Sequence, residues 1–175
     1  MKLSEGIESA IHCAVILAAL EEGAVLPAKA LAEYHGVSES YLLKQLQALC
    51  RAGLAESVPG PAGGYRLARS PEKITLLDFV EAIEGREPAF RCQEIRQRGP
   101  LGACGVDDAK AYAQPCSINA AMLRAETAYR NALRKETLQE IIAGLPRKIA
   151  PEKLRLGREW IQANQRAAPA SRLGT

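Results

Sequence analysis

Apolar positions recur at helical spacing from the start of the chain. Ile7, Ile11, Ala14 and Ala18 share one face, and Val15 and Leu17 widen it. Met1 to Leu20 is therefore read as a helix, with Ser4 as N-cap and Gly23 at its end. Pro27 to Tyr34 forms a second, short helix, with Pro27 in the first turn, where a missing N–H costs little; Gly36 breaks it. Ser38 caps a third helix that runs to about Arg51. Leu42, Leu46 and Leu49 make its inner face, while Ser40, Tyr41, Lys44 and Gln45 face out. Leu54 to Val58 and Tyr65 to Ala68 read as two strands around the loop Pro59-Gly60-Pro61-Ala62-Gly63-Gly64. Thr75 to Glu84 is a helix with Thr75 and Asp78 in a capping arrangement and Gly85 as its stop. Phe90 to about Pro115 is irregular. Ser117 to Ala143 is a long amphipathic helix with Met122, Ala125, Tyr129, Leu133 and Ile141 among its apolar positions, stopped by Gly144 and Pro146. Pro151 to Gln165 is a last helix, followed by a loose tail from Ala167 to Thr175.

Helix, helix, helix, hairpin, helix is the order of a winged helix-turn-helix. The fold class expected is mainly α with a small β-wing, extended by a long dimerisation helix. Residues 1–85 form the DNA-binding domain, 86–116 a cysteine-bearing loop, 117–165 the dimerisation and C-terminal helices, and 166–175 a flexible tail. The apolar stripe of the long helix exceeds what so small a body can cover, so it is expected to pack on a second copy.

Composition narrows the classes. The chain has 175 residues, 47% hydrophobic and 25% charged, the balance of an ordinary folded domain. No apolar run approaches the ~18 residues of a spanning helix. The run Ile11 to Leu20 contains His12 and lacks a basic leader and a small-residue cleavage site, so no signal peptide is expected. Five cysteines, an odd count, then point to a reducing cytoplasm and to thiol or metal chemistry. Charge is uneven. Residues 1–91 hold 9 Lys/Arg against 12 Asp/Glu, and residues 92–175 hold 14 against 8, so DNA binding in the first half must rest on local placement.

That placement exists. A helix read into a major groove needs hydrogen-bonding groups at i, i+4, i+7 spacing, and Ser40, Lys44, Gln47 and Arg51 have it, with Tyr41 and Gln45 beside them. Lysine reaches guanine or phosphate and glutamine pairs with adenine, while serine and tyrosine hydroxyls more often hold phosphate. Gly63 and Gly64 in the wing loop let backbone N–H groups approach phosphate, and Arg66 and Arg69 follow. Lys44, Arg51, Arg66 and Arg69 against Glu56 make residues 40–69 locally basic. Ser38, Ser40, Tyr41, Lys44, Gln45, Gln47, Arg51, Gly63, Gly64, Tyr65, Arg66 and Arg69 are the candidate DNA contacts. No nucleophile–base pair, phosphate-binding glycine loop or dinucleotide fingerprint marks an enzyme.

The runs Val37-Ser38-Glu39-Ser40-Tyr41-Leu42-Leu43-Lys44-Gln45-Leu46, Ala52-Gly53-Leu54, Gly63-Gly64-Tyr65-Arg66-Leu67-Ala68-Arg69 and Ile74-Thr75-Leu76-Leu77-Asp78 resemble the Rrf2 family of bacterial winged-helix regulators over about residues 1 to 145. The resemblance implies a homodimer that binds a near-palindromic operator, with recognition helices in successive major grooves.

Cys92, Cys104 and Cys116 lie twelve residues apart, in or beside the irregular segment. Thiolates bind iron and sulfide, and a Gly/Pro-rich loop can wrap a cluster. The resemblance implies cluster ligands in this segment, though cluster-binding members commonly space three cysteines more closely. If Cys104 and Cys116 alone bind, two more ligands are needed. Glu8 and His12, an i, i+4 pair, project to one side of the first helix. The start of the chain and the Phe90 to Pro100 stretch are most similar to the family's redox-sensing 2Fe–2S branch. What this implies is a cluster held by Cys104 and Cys116 with Glu8 and His12 from the partner subunit, 2Fe–2S favoured over 4Fe–4S. Cys92 is a candidate third cysteine ligand or resolving thiol. Cys13 and Cys50 read as small buried hydrophobes, His35 as a surface residue, and Met122, Tyr129 and Trp160 as packing residues.

The expected function is a DNA-binding regulator, read as a repressor, whose operator affinity follows the state of an iron–sulfur cluster. Two alternatives stay open: a metal-free regulator sensing through cysteine thiols or a small ligand, and an iron–sulfur or zinc protein of electron transfer or cluster delivery.

Overall fold

A computed structural model of the chain describes residues 3–101, 110 and 112–167. These fall into two compact units: Arg86–Ala132, and the segments on either side of it.

The flanking unit is built on three helices: α1 (Glu5–Leu17), α2 (Ala28–His35) and α3 (Glu39–Arg51). A two-residue strand, β1 (Ala24–Val25), precedes α2. The wing strands β2 (Ala55–Val58) and β3 (Gly64–Leu67) follow α3, and α4 (Leu76–Glu84) closes the set. Leu31, Leu42, Leu46, Leu49, Ile74 and Phe79 are fully buried at its centre, each contributing ~1.5–3 kcal/mol of apolar burial. Gly36 ends α2 in the left-handed conformation (φ 64°) that its missing Cβ permits. Ser38 Oγ accepts from Tyr41 N at 3.3 Å and starts α3. Thr75 and Asp78 close a reciprocal capping box on α4.

The structure corrects four element assignments. The first helix ends at Leu17 rather than near Gly23, because the next bonds, Ala19 N to Ile16 O and Leu20 N to Leu17 O, tighten to i→i−3 turns. Ser4 stands at its N-cap position, but its side chain makes no cap bond; its N–H donates to Glu84 Oε1 at 3.0 Å. The helix read as Ser117 to Ala143 is two helices, α5 (Ser117–Lys135) and α6 (Leu138–Gly144). Thr137 and Glu140 form a second capping box, and Thr137 bridges Thr75 while Leu138 N donates to Ile74 O at 2.8 Å. Those bonds to residues 74–76 outcompete a continuous helix and seat Leu138 in the core. After α7 (Pro151–Asn164), the segment read as the start of a loose tail forms a strand, β4 (Arg166–Ala167), antiparallel to β1. Residues 168–175 lie outside the described residues.

In the other unit the chain turns at Ile95–Gln97 and Gly99–Leu101 before α5. Glu126 accepts from Ala89 N at 3.0 Å and pairs with Arg130 at 3.1 Å, while Arg130 donates to Arg86 O at 3.0 Å, strapping residues 86–89 along α5. No residue of α5 is buried.

Candidate functional site

On α3 the alternation of faces is realised as read. Leu42, Leu46 and Leu49 point into the core, and Ser40, Lys44, Gln47 and Arg51 are exposed at i, i+4, i+7 offsets. Tyr41 is half-buried beside them. Gln45 is engaged differently, because its amide end lies against α1: a Cβ on Gly6 would stand 2.8 Å from Gln45 Oε1.

The wing arginines are occupied by the fold. Arg66 Nε pairs with Glu56 across the hairpin. Arg69 donates from Nε to Gly53 O and from Nη2 to Ala52 O, both at 2.8 Å, and so closes the C-terminal end of α3. The loop glycines serve close backbone approach within the chain. A Cβ on Gly63 would lie 2.0 Å from Val58 O, and one on Gly64 2.6 Å from Leu26 O. Tyr65 is half-buried, exchanging both backbone bonds with Leu26 at 2.9 Å.

Glu8 and His12 stand one turn apart on α1, with Oε1 to Nε2 at 4.0 Å and side chains 79% and 62% exposed. They line an open cleft of about 460 Å³ together with Leu3, Ile7 and Ile11. A second cleft of about 390 Å³ lies between their helix and the turn before α3, bounded also by His35 and Tyr41. His35 is not a surface residue. It is half-buried, its Nε2 makes no hydrogen bond among the described residues, and burial followed by the charge of His12 pushes its imidazole below the ordinary value. Its ring lies 5.8 Å from His12 and 5.2 Å from Tyr34, and Tyr34 in turn meets Trp160 edge-on at 5.0 Å.

Cys116 immediately precedes α5, and its sulfur accepts from the backbone N–H of Asn119 and Ile118 at the helix N-terminus. Those bonds, a bond from the Cys92 thiol and the charge of Arg96 hold it below the ordinary thiol value of 9.0. The Glu94 backbone pulls Cys92 down too, but desolvation, Cys116 and the Glu94 carboxylate leave it above that value. The single Cys92 S–H is shared between the Cys116 sulfur and the Glu94 carboxylate. Around them Cys92 Sγ donates to Glu94 Oε1 at 3.6 Å, Arg96 pairs with Glu94 at 2.7 Å and donates to Gln114 O at 2.8 Å, and Tyr112 donates to Arg96 O at 2.7 Å. Glu94 sits in the left-handed region (φ 46°), uncommon for a residue with a Cβ. The Glu94–Arg96–Tyr112 support went unseen in the sequence; only the tight turn at 95–97 folds that polar run onto the cysteines.

Cys13 is fully buried, and desolvation pushes its thiol up to about 12, while Cys50 is half-buried and raised chiefly by the same cause. Both fit the reading as packing residues. Cys104 lies outside the described residues. Among the described residues no three of His, Cys, Asp and Glu gather as one metal-binding group. Cys116, whose thiol is lowered, and, separately, the accessible carboxylate–imidazole pair Glu8 and His12 are each donor types that iron accepts. Met122, read as packing, is 44% exposed, beside Ile118 at 64% and Leu123 at 39% on α5.

No helix among the described residues is long and apolar enough to cross a membrane. Residues 3–144 match the family model Rrf2, described as an iron-dependent transcriptional regulator. The protein YwgB of Bacillus subtilis (strain 168), named as a helix-turn-helix-type regulator, is 32% identical over 142 residues, 81% of this chain and 85% of its own. The HTH-type transcriptional regulator IscR of Escherichia coli O1:K1 / APEC is 31% identical over 113 residues, 65% of this chain and 67% of its own. In fold, the chain is similar to CymR (YrzC), the global cysteine regulator of B. subtilis, with a TM-score of 0.60 at 23% identity, over 83% of this chain and 98% of that one.

Proposed function

The chain belongs to the Rrf2 family of DNA-binding transcriptional regulators, which are not enzymes, and we propose that it is a homodimeric repressor whose operator affinity follows the state of an iron–sulfur cluster. The observation that carries this reading is the position of α1. It presents Glu8 and His12 to solvent one turn apart, and through Gly6 it touches Gln45 of the recognition helix. A ligand that holds α1 therefore acts on α3.

Ser40, Lys44, Gln47 and Arg51 face the major groove of a near-palindromic duplex, Lys44 and Gln47 toward base edges and the others toward phosphates. Cys104 and Cys116 of one subunit, with Glu8 and His12 of the other, would hold the cluster, in its 2Fe–2S form. When bound, such a cluster supplies a one-electron redox centre. Cys116 would offer a sulfur whose thiol is lowered by the backbone N–H groups of Asn119 and Ile118. His12 would offer an imidazole nitrogen, with the Glu8 carboxylate 4.0 Å away on the same face of α1. Because α1 lies against Gln45 through Gly6, a cluster state that held α1 differently would change the seating of α3, and only such a difference between two states changes DNA affinity.

The contact between Cys92 and Cys116 favours a second reading, in which the chain holds no metal and senses through this thiol pair. Anaerobic purification with iron and sulfide analysis and a visible spectrum separates the two. Cys104→Ala or Cys116→Ala should abolish the visible bands and His12→Ala alter or abolish them, with Cys13→Ala and Cys50→Ala silent. If Glu8→Ala and His12→Ala leave the spectrum unchanged while Cys92→Ala destroys it, the ligands are the three cysteines. A colourless, iron-free wild type favours the thiol reading.

A further inference from the structure

The residues after α7 lie beyond the segment 3–144 that the family model matches, yet they reach the wing. β4 pairs with β1 in the register Ala24 to Ala167 and Val25 to Arg166. The next residue, Leu26, bonds to Tyr65 of β3 in both directions at 2.9 Å. The segment 24–26 thus joins the wing hairpin on one side and the C-terminal strand on the other. Gln165 Oε1 accepts from Glu21 N at 3.1 Å, Ile161 is buried in the core, and Trp160 packs edge-on against Tyr34, so the strand is fixed at its base. From it Arg166, itself exposed, reaches across and donates from Nη1 to Pro61 O at 2.9 Å.

Pro61 is in the middle of the wing loop, and residues 59–64 contain no charged side chain. The two arginines that follow in sequence are held below the tip, Arg66 by Glu56 and Arg69 by the carbonyls ending α3. A wing laid against a duplex would meet phosphates with an uncharged loop, were it not for Arg166. The Pro61 bond uses one of five guanidinium N–H groups of a side chain that is exposed.

We infer that Arg166 is a DNA-backbone contact: the C-terminal strand delivers to the wing tip the cation that the wing lacks, and its guanidinium neutralises a phosphate there. This rests on the wing lying against DNA in the proposed function. Because phosphate neutralisation releases counterions, the contact should appear in the salt dependence of binding and carry no sequence preference.

The test uses the full chain and a duplex selected in vitro by the wild type, with dissociation constants measured between about 50 and about 200 mM salt. Arg166→Gln should reduce the slope of log affinity against log salt by about one per bound chain, weakening binding severalfold at low salt and least at high salt. Arg166→Lys should keep the wild-type slope. Lys44→Ala serves as the reference and should itself lower affinity. The inference is overturned if Arg166→Gln matches wild type in affinity and slope while Lys44→Ala weakens binding; the DNA interface then stands without this contact. It is equally overturned if Arg166→Gln and Arg166→Lys lower affinity by one factor at every salt concentration, the mark of a brace. If Lys44→Ala also changes nothing, the assigned interface itself is wrong.

Discussion

Gly6 of α1 lies against the amide of Gln45 on α3, so closely that an added Cβ would come within 2.8 Å of Oε1 and 3.0 Å of Cδ. The contact is with the far end of a flexible side chain, which can move aside. Gly6→Ala should therefore leave stability within about 1 kcal/mol of wild type, since alanine is favoured over glycine in a helix by about that much. Operator affinity should change, because Gln45 belongs to the recognition helix. Urea unfolding and duplex binding on the same variant check both halves. Unaltered binding would mean that α1 and α3 are not coupled here.

In the wing loop the obstacle to a side chain is backbone. Gly63 is buried, and its Cβ would meet Val58 O at 2.0 Å and Gly60 O at 2.9 Å. Gly63→Ala should cost about 1–3 kcal/mol, as overpacking of a closed site does, and lower the melting temperature. A variant as stable as wild type would show that the loop has room to open.

Much of this was legible in the chain itself. Leu42, Leu46 and Leu49 announced the inner face of α3, and Ser38, Thr75 and Gly36 marked element ends, because caps and periodicity are local. What escaped depended on distant partners. Thr137 and Glu140 spell a capping box in the sequence, but an apolar period running through it reads as one helix until residues 74–76 supply competing bonds. Arg166 and Ala167 have no strand signature of their own; the exposed edge of β1 makes them a strand. Arg66 and Arg69 look like free cations in sequence, and only the fold gives them Glu56 and the α3 carbonyls. His35 beside a turn glycine looked exposed, yet the rings of His12 and Tyr34 cover it.

Ile118 and Met122, one turn apart on α5, are 64% and 44% exposed on a 19-residue helix that buries nothing. In the proposed homodimer this face would be covered by the second copy. Changing both to lysine should convert a dimer to a monomer at micromolar concentration while far-UV helicity is retained. Light scattering decides this; a monomeric wild type, with or without iron, would contradict the homodimer.

The cysteines should separate in their reactivity toward an alkylating agent. The thiolate is the nucleophile. Cys116, lowered by the backbone N–H groups of Asn119 and Ile118, should react at lower pH than Cys92, which lies above the ordinary value of 9.0. Cys13, buried and pushed up to about 12, should resist until the chain unfolds. Cys92→Ala removes a hydrogen bond that favours the Cys116 thiolate, so the Cys116 profile should move to higher pH. The lowered native value also means that Cys116 adds stability which is complete above 9.0 and is lost as pH falls through the native value. Mass spectrometry of the iron-free protein across pH reads the order directly; Cys92 reacting ahead of Cys116 would contradict it.

The most direct measurement is operator affinity of one anaerobic preparation in three states: cluster-loaded and oxidised, cluster-loaded and reduced, and stripped of iron. Iron and sulfide should be present in the first two, the visible spectrum should bleach on reduction, and the affinities should differ by tenfold or more, about 1.4 kcal/mol or above. Equal affinity in all three states, or a wild-type protein that binds its operator but takes up neither iron nor sulfide, would contradict control by a cluster.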